Sequence, residues 1–269
     1  MIISIINNKG GVGKTTTTVN LGHALARAGN KVLVVDIDSQ CNTTNILLDR
    51  DKIVRRNLYD LLKGDCRSDE SILPTSYENL YLLPNSSETA TIEPELINKT
   101  PNSLYLLRER LRDFAISSFD YILIDNPPNL GTFVILSLYS SDFAIVPTDA
   151  GSKHSGEGLI KAVEFIRNVQ EKGNPDLKFL KLLITKIDKR TAISKAIVTQ
   201  IMNVFPPQRI FNTKIPVNTE LQKAEFFSKT IFKYRSTAKA AIAYKKLAEE
   251  IIDLKLKKLD NHYSQEQGI

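Results

Sequence analysis

Nine consecutive residues near the start, Asn8-Lys9-Gly10-Gly11-Val12-Gly13-Lys14-Thr15-Thr16, bring glycines, lysines and hydroxyls together. Bare glycine backbone lets successive N–H groups converge on phosphate oxygens. A helix that starts inside the stretch adds the positive end of its dipole. Lys14 would give the outer phosphates a full charge, and the Thr15 hydroxyl would ligate Mg²⁺. Gly10, Gly11, Val12, Gly13, Lys14, Thr15 and Thr16 are therefore expected to cradle phosphates.

Three acids add to this chemistry. Residues 31–36 (KVLVVD) and 119–125 (FDYILID) are apolar runs that each end in an acid, Asp36 and Asp125. Asp38 follows two residues after Asp36, so on an extended chain both would point to one side. Acids beside a phosphate loop suit Mg²⁺ organisation and the orientation of a water molecule. Asp125 would carry its carboxylate to the Mg²⁺ shell through water.

These residues need elements to position them. Residues 2–6 read as a buried strand and residues 15–28 as a helix, with Val19, Leu21, Ala24, Leu25 and Ala28 inward. Gly29 follows where a positive φ is expected. Further strands are predicted at 31–36, 80–83, 119–125, 143–147 and 180–186, with a short one inside 210–217. Helices are predicted at 57–62, 101–115, 155–169 and 236–259. Apolar runs without alternation indicate parallel strands covered on both faces. The fold class is α/β: a single doubly wound, mainly parallel sheet flanked by helices. Residues 1–260 form that domain, and the polar residues 261–269 form a disordered tail.

Composition limits the partners. A 42% hydrophobic share allows a substantial core, yet no run approaches the roughly 20 apolar residues that span a bilayer. No signal peptide precedes the first strand. Cys41 and Cys66 are the only cysteines, which fits a reducing cytosol and a cytoplasmic protein. Residues 1–150 carry 14 Lys/Arg against 18 Asp/Glu, whereas residues 151–269 carry 22 against 12. A basic second half suits a polyanion such as DNA or an anionic membrane surface, and equally a solvated lysine-rich face.

The loop departs from G-x-x-x-x-G-K-[ST], because Asn8 stands at its first glycine and Lys9 follows. Lys9-Gly10-Gly11-Val12-Gly13-Lys14-Thr15-Thr16 resembles the deviant Walker A motif of the ParA/MinD ATPases, a P-loop NTPase class. The resemblance runs from Ile2 to about Leu254. It implies ATP as the nucleotide and a second role for Lys9, which would reach across a dimer onto the partner's nucleotide. Asp36-Ile37-Asp38-Ser39-Gln40-Cys41-Asn42 resembles the family's D-x-D-P-Q-G-N, with Ser39 and Cys41 as departures. It implies that Asp38 positions the attacking water and that Asp36 supports the metal site. Residues 125–131 (DNPPNLG) are similar to D-[TA]-P-P-S-L-G, which makes the strand ending at Asp125 the Walker B strand. Ile215-Pro216-Val217-Asn218 is similar to I-P-R-N, which implies that Pro216 and Asn218 lie against adenine.

Within that family the chain looks like a ParA/Soj-type DNA-partitioning ATPase of slow intrinsic turnover, nucleoid-associated in the cytoplasm. The likeness implies an ATP-dependent homodimer, non-specific double-stranded DNA binding, and a ParB-type centromere-binding partner that stimulates hydrolysis. Arg190 matches a basic position the family uses for DNA. Val217 and Glu220 stand where relatives often carry arginine. Lys189, Lys195, Lys223, Lys229, Lys245 and Lys246 are the candidates to compensate, although each alone reads as ordinary surface. The alternative is a MinD-like membrane-associated positioning ATPase, which needs an amphipathic C-terminal anchor. The polar end, residues 261–269, argues against stable membrane association.

Overall fold

In a computed structural model, residues 1–49, 51–151 and 155–266 are described. The strands are β1 (Ile2–Ile5), β2 (Val32–Asp36), β3 (Leu73–Pro74), β4 (Leu80–Leu83), β5 (Tyr121–Asp125), β6 (Phe143–Asp149) and β7 (Lys178–Thr185). They form one sheet in the order β3-β4-β2-β5-β1-β6-β7, with only β3 antiparallel to its neighbour. The doubly wound, mainly parallel sheet is as expected from the sequence.

The uninterrupted apolar runs arise because both faces of the sheet are covered. On one face Ile2, Leu33, Val35, Ile122 and Ile124 pack with Val134, Leu138, Leu159 and Ile166 from the helices Thr132–Ser140 and Ser155–Lys172. On the other, Ile3, Ile5, Val34 and Leu123 pack with Val19 and Leu25 of helix α1 (Lys14–Arg27) and with Tyr244, Leu247 and Ile251. Those last three belong to the closing helix Lys239–Glu266. β1 lies between β5 and β6, in register with both, so its carboxyl end opens beside those of β2 and β5. Ligands collect at such carboxyl ends. The backbone after α1 turns at Gly29, whose φ is 88°, as the sequence predicts.

Three expectations are corrected. Residues 210–217 hold no strand, only single parallel bridges from Leu182 to Ile210 and from Ile187 to Pro216. Proline lacks the N–H that a continued ladder needs. The closing helix starts at Lys239 rather than at 236, because Thr230 first caps a separate helix, Ile231–Arg235. The same closing helix continues through Glu266, past the tail boundary read at 260, in a stretch without helix-breaking residues. Residues 267–269 lie outside the described residues.

A buried histidine joins α1 to the C-terminal elements. His23 Nδ1 lies 2.6 Å from Thr230 Oγ1, with the ring centroid of Tyr77 4.5 Å away and that of Phe232 5.4 Å away. Burial, with Arg27 and Lys233 nearby, pushes its pKa down from 6.5 to about 4. As pH falls through that window the unfolded chain gains a proton that the folded chain does not. Stability is therefore lost from pH 6.5 towards 4, by about 3 kcal/mol from this group. His23→Gln is expected to flatten that part of the pH profile relative to the parent, read as urea midpoints.

Candidate nucleotide site

The loop between β1 and α1 places most of the predicted residues around one cavity of about 540 Å³. Gly10, Gly11, Gly13, Lys14, Thr15, Thr16, Asp38, Pro216 and Asn218 all line it. Gly11 and Gly13 adopt φ of 72° and 92°, left-handed values that a side chain would resist. Val12 instead turns its side chain into the core, and its carbonyl accepts from Thr185 Oγ1 at 2.8 Å. That bond ties the loop to the end of β7.

The first turn of α1 carries neither a side-chain cap nor an acid. Its orphan N–H groups and Lys14 therefore line the cavity as positive charge, a setting that an anion satisfies. Lys14 is only 7% exposed, and its Nζ donates to the Lys9 carbonyl at 3.1 Å. Burial pulls its pKa down, while Asp125 and Asp38 pull it up. The backbone N–H of Lys9 donates to Asn7 Oδ1 at 3.0 Å.

Asp125 is wholly buried behind the cavity. Its Oδ2 accepts from Thr15 Oγ1 at 2.8 Å and from Thr43 Oγ1 at 2.7 Å, and its Oδ1 from Thr18 Oγ1 at 3.3 Å. Burial pushes this carboxyl upward, and the threonine hydroxyls oppose the shift. Asp38 lies at the cavity wall, with Oδ1 accepting from the Gln40 N–H at 3.0 Å.

The donor set suits a hard divalent cation. Thr15, Asp38 and Asp125 offer oxygen only, as Mg²⁺ prefers. Among the described residues no three His, Cys, Asp or Glu side chains are gathered as a metal cage. Mg²⁺ bound through phosphates, water and one or two carboxylates needs none.

Asp36 does not face the cavity. β2 ends at Asp36, so strand alternation stops there, and Asp38 lines the cavity whereas Asp36 does not. Asp36 is fully buried, and burial with Asp125 alongside raises its pKa. Thr43, Thr44, Thr185 and Tyr244 were not singled out from the sequence, since isolated hydroxyls carry no spacing signal. Tyr244 also lines the cavity, with its hydroxyl 3.4 Å from Thr17 Oγ1.

The basic candidates are dispersed. Lys189, Arg190 and Lys246 border a separate groove of about 1080 Å³ that shares Pro216 and Val217 with the nucleotide cavity. Lys195, Lys223, Lys229 and Lys245 are exposed outside its lining. Arg190 is held by Asp188 through Nε at 2.9 Å and Nη2 at 2.8 Å. Glu220 engages Lys223 at 3.3 Å and Arg235 at 3.6 Å.

A family model described as an AAA domain matches residues 1–179. The chain is 36% identical over 250 residues to the sporulation initiation inhibitor protein Soj of Bacillus subtilis, which spans 93% of this chain and 97% of that protein. It is 34% identical over 251 residues to the chromosome partitioning protein ParA of Myxococcus xanthus, at 93% and 87% coverage. The chain belongs to the Soj/ParA family of chromosome-partitioning ATPases. Solved structures carry the same fold across this Soj/ParA chain. The septum site-determining protein MinD of Pyrococcus horikoshii, complexed with Mg-ADP, matches with a TM-score of 0.76 at 28% identity, covering 94% of this chain and 96% of that one. Cobyrinic acid a,c-diamide synthase of Mycobacterium smegmatis, with bound ADP and magnesium, matches at 0.78 and 29%, covering 93% of each chain. Among the described residues of this family member, no helix is long and apolar enough to cross a membrane.

Proposed function

We propose that this chain hydrolyses ATP with Mg²⁺, that two copies close face to face over bound ATP, and that the dimer binds double-stranded DNA without sequence preference. A ParB-type partner then stimulates hydrolysis and releases the DNA. The observation that carries this reading is the uncapped N-terminus of α1, with buried Lys14 facing a cavity that Asp38 also lines.

Gly10 to Thr16 hold the phosphates, with Lys14 on the outer ones. Mg²⁺, when bound, supplies charge neutralisation of the phosphates, and Thr15 and Asp125 are the residues that would hold it. Asp38 orients the water whose oxygen attacks the terminal phosphorus as the bond to the ADP oxygen breaks. Pro216 and Asn218 border the base, and Asn218 also caps the helix Thr219–Phe226 through the Glu220 N–H at 2.8 Å. Lys9 completes the site of the second copy. Turnover is slow because the site is whole only in the dimer.

Lys189, Arg190 and Lys246, with the exposed Lys195, Lys223, Lys229 and Lys245, supply phosphate contacts. Val217 and the pairing of Glu220 with two cations reduce that charge relative to an arginine at both positions. The test is Asp38→Ala in gel filtration and DNA retardation, with ATP and with ADP. The ATP form is expected to run as a dimer and retard DNA of any sequence, whereas the ADP form does neither. If about four phosphates are contacted, raising salt fourfold weakens binding on the order of a hundredfold. DNA binding indifferent to both nucleotide and salt would sink the reading.

A further inference from the structure

We propose that Asp36 is a positioning residue rather than a support for the metal: through Thr44 and the Asp38 amide it holds the loop that presents Asp38. The proposal rests on the reading of Asp38 given above. It starts from how Asp36 uses its two oxygens. Oδ2 accepts from the Thr44 N–H at 2.8 Å and from Thr44 Oγ1 at 2.7 Å. Oδ1 accepts from the Asp38 N–H at 3.2 Å. One buried carboxylate thus grips both ends of residues 38–44.

The grip continues into the scaffold. Thr44 Oγ1 accepts from the Asn85 N–H at 3.0 Å, so the hydroxyl bonds in both directions. Asn85 follows β4, and its Oδ1 accepts from Ser86 N–H at 2.9 Å and Thr89 Oγ1 at 2.6 Å. Thr44 sits in helix α2 (Asn42–Leu47), and its neighbour in that helix, Thr43, donates to Asp125. The Asp38 loop is therefore anchored to the ends of β2, β4 and β5 together.

The loop needs that anchoring. Cys41, at its centre, adopts φ of 56°, in the left-handed region. A non-glycine residue persists there only where its surroundings hold it. Within the loop the Cys41 N–H donates to the Asp38 carbonyl at 2.9 Å and the Gln40 N–H to the Asp38 carboxylate at 3.0 Å. Those bonds shape the turn but do not fix it against the sheet. Asp36 does so, and it lies outside the cavity lining, so it acts through Asp38 and not on the nucleotide.

Displacing a reacting or orienting group by about 1 Å can cost on the order of a hundredfold in rate. Thr44→Val removes the hydroxyl while keeping the shape and the Thr44 N–H bond. It is expected to lower kcat about ten- to a hundredfold, with KM for ATP and the affinity for ADP within about twofold of the parent. Thr44→Ser is expected to restore the rate. In the nucleotide-free protein, amide exchange at Asn85 and Asp38 should quicken in Thr44→Val and recover in Thr44→Ser. Hydrolysis by Thr44→Val at the parent rate overturns the inference. So does a fall of ADP affinity in step with kcat, which would mark a collapsed site. Asp38→Ala run alongside separates the two levels: undiminished hydrolysis there removes the role of Asp38 itself, while a Thr44 failure with Asp38→Ala inactive removes only the latch.

Discussion

Lys14→Ala is expected to weaken ATP and ADP binding by on the order of a thousandfold, the largest single loss available in the cavity. Lys14 is only 7% exposed, and its ammonium has a hydrogen bond to a carbonyl and two carboxylates nearby, Asp125 and Asp38. Desolvation already lowers its pKa, so the site holds a costly cation beside an uncapped helix N-terminus. A bound polyphosphate would interact with both the ammonium and the helix end at once. Charge-assisted hydrogen bonds contribute about 1.5–3 kcal/mol each. Loss of two such bonds amounts to about 4 kcal/mol, or about a thousandfold in affinity. The loop itself should survive the change, because Val12 and Thr185 hold it from below and Gly11 and Gly13 set its turns. Titration calorimetry with ADP, and the rise in Tm at saturating ADP, are the readouts. The parent should gain several degrees and the variant none. An alanine variant that binds ADP within about tenfold of the parent would mean that the helix end alone carries the phosphates.

The site was legible where chemistry demands fixed spacing, and opaque where it rests on tertiary contacts. The run from Asn8 to Thr16 specifies its own geometry, since glycine at two left-handed positions is a local requirement. β2 and β5 announced themselves because burial on both faces leaves no room for polar residues before the terminal acid. Asp36 shows the limit. Alternation placed it with Asp38, but alternation holds only within a strand, and β2 ends at Asp36. Thr43 and Thr44 matter because α2 brings them under two buried carboxylates, a meeting that no linear pattern encodes.

The fold divides in the same way. The helix Thr132–Ser140 carries no periodic signal in the sequence because it is apolar nearly all round, so its 3.6-residue period is hidden. Thr191 and Asn218 cap the helices Ala192–Val204 and Thr219–Phe226, local signals that the sequence does carry, although Asn218 reads there as a base contact. β3 has two residues and ends in Pro74, and it exists only because β4 is there to pair with it. Propensity carries almost no information about such an edge.

Lys9→Ala is expected to part ATP binding from dimer formation. The backbone of Lys9 serves its own subunit: its N–H donates to Asn7 Oδ1, and its carbonyl accepts from Lys14 Nζ. An alanine keeps both bonds, so the loop and Lys14 stay in place. The Lys9 side chain, by contrast, lies outside the lining of the cavity in its own subunit, so truncating it should leave ATP affinity within about threefold. In a two-fold dimer each copy would lend its Lys9 to the other, and one substitution therefore removes two contacts. Truncating one member of a buried charge pair costs about 2–5 kcal/mol, so the doubled loss reaches at least about 4 kcal/mol, or roughly a thousandfold in the dimer constant. Placed in an Asp38→Ala background, where hydrolysis is expected to be lost, Lys9→Ala with saturating ATP should elute as a monomer and fail to retard DNA. Calorimetry on the same sample should still register ATP. A dimer of parental stability would remove the cross-subunit role of Lys9 and leave a nucleotide hydrolase whose DNA surface, if it forms, does not depend on sealing the triphosphate between two copies.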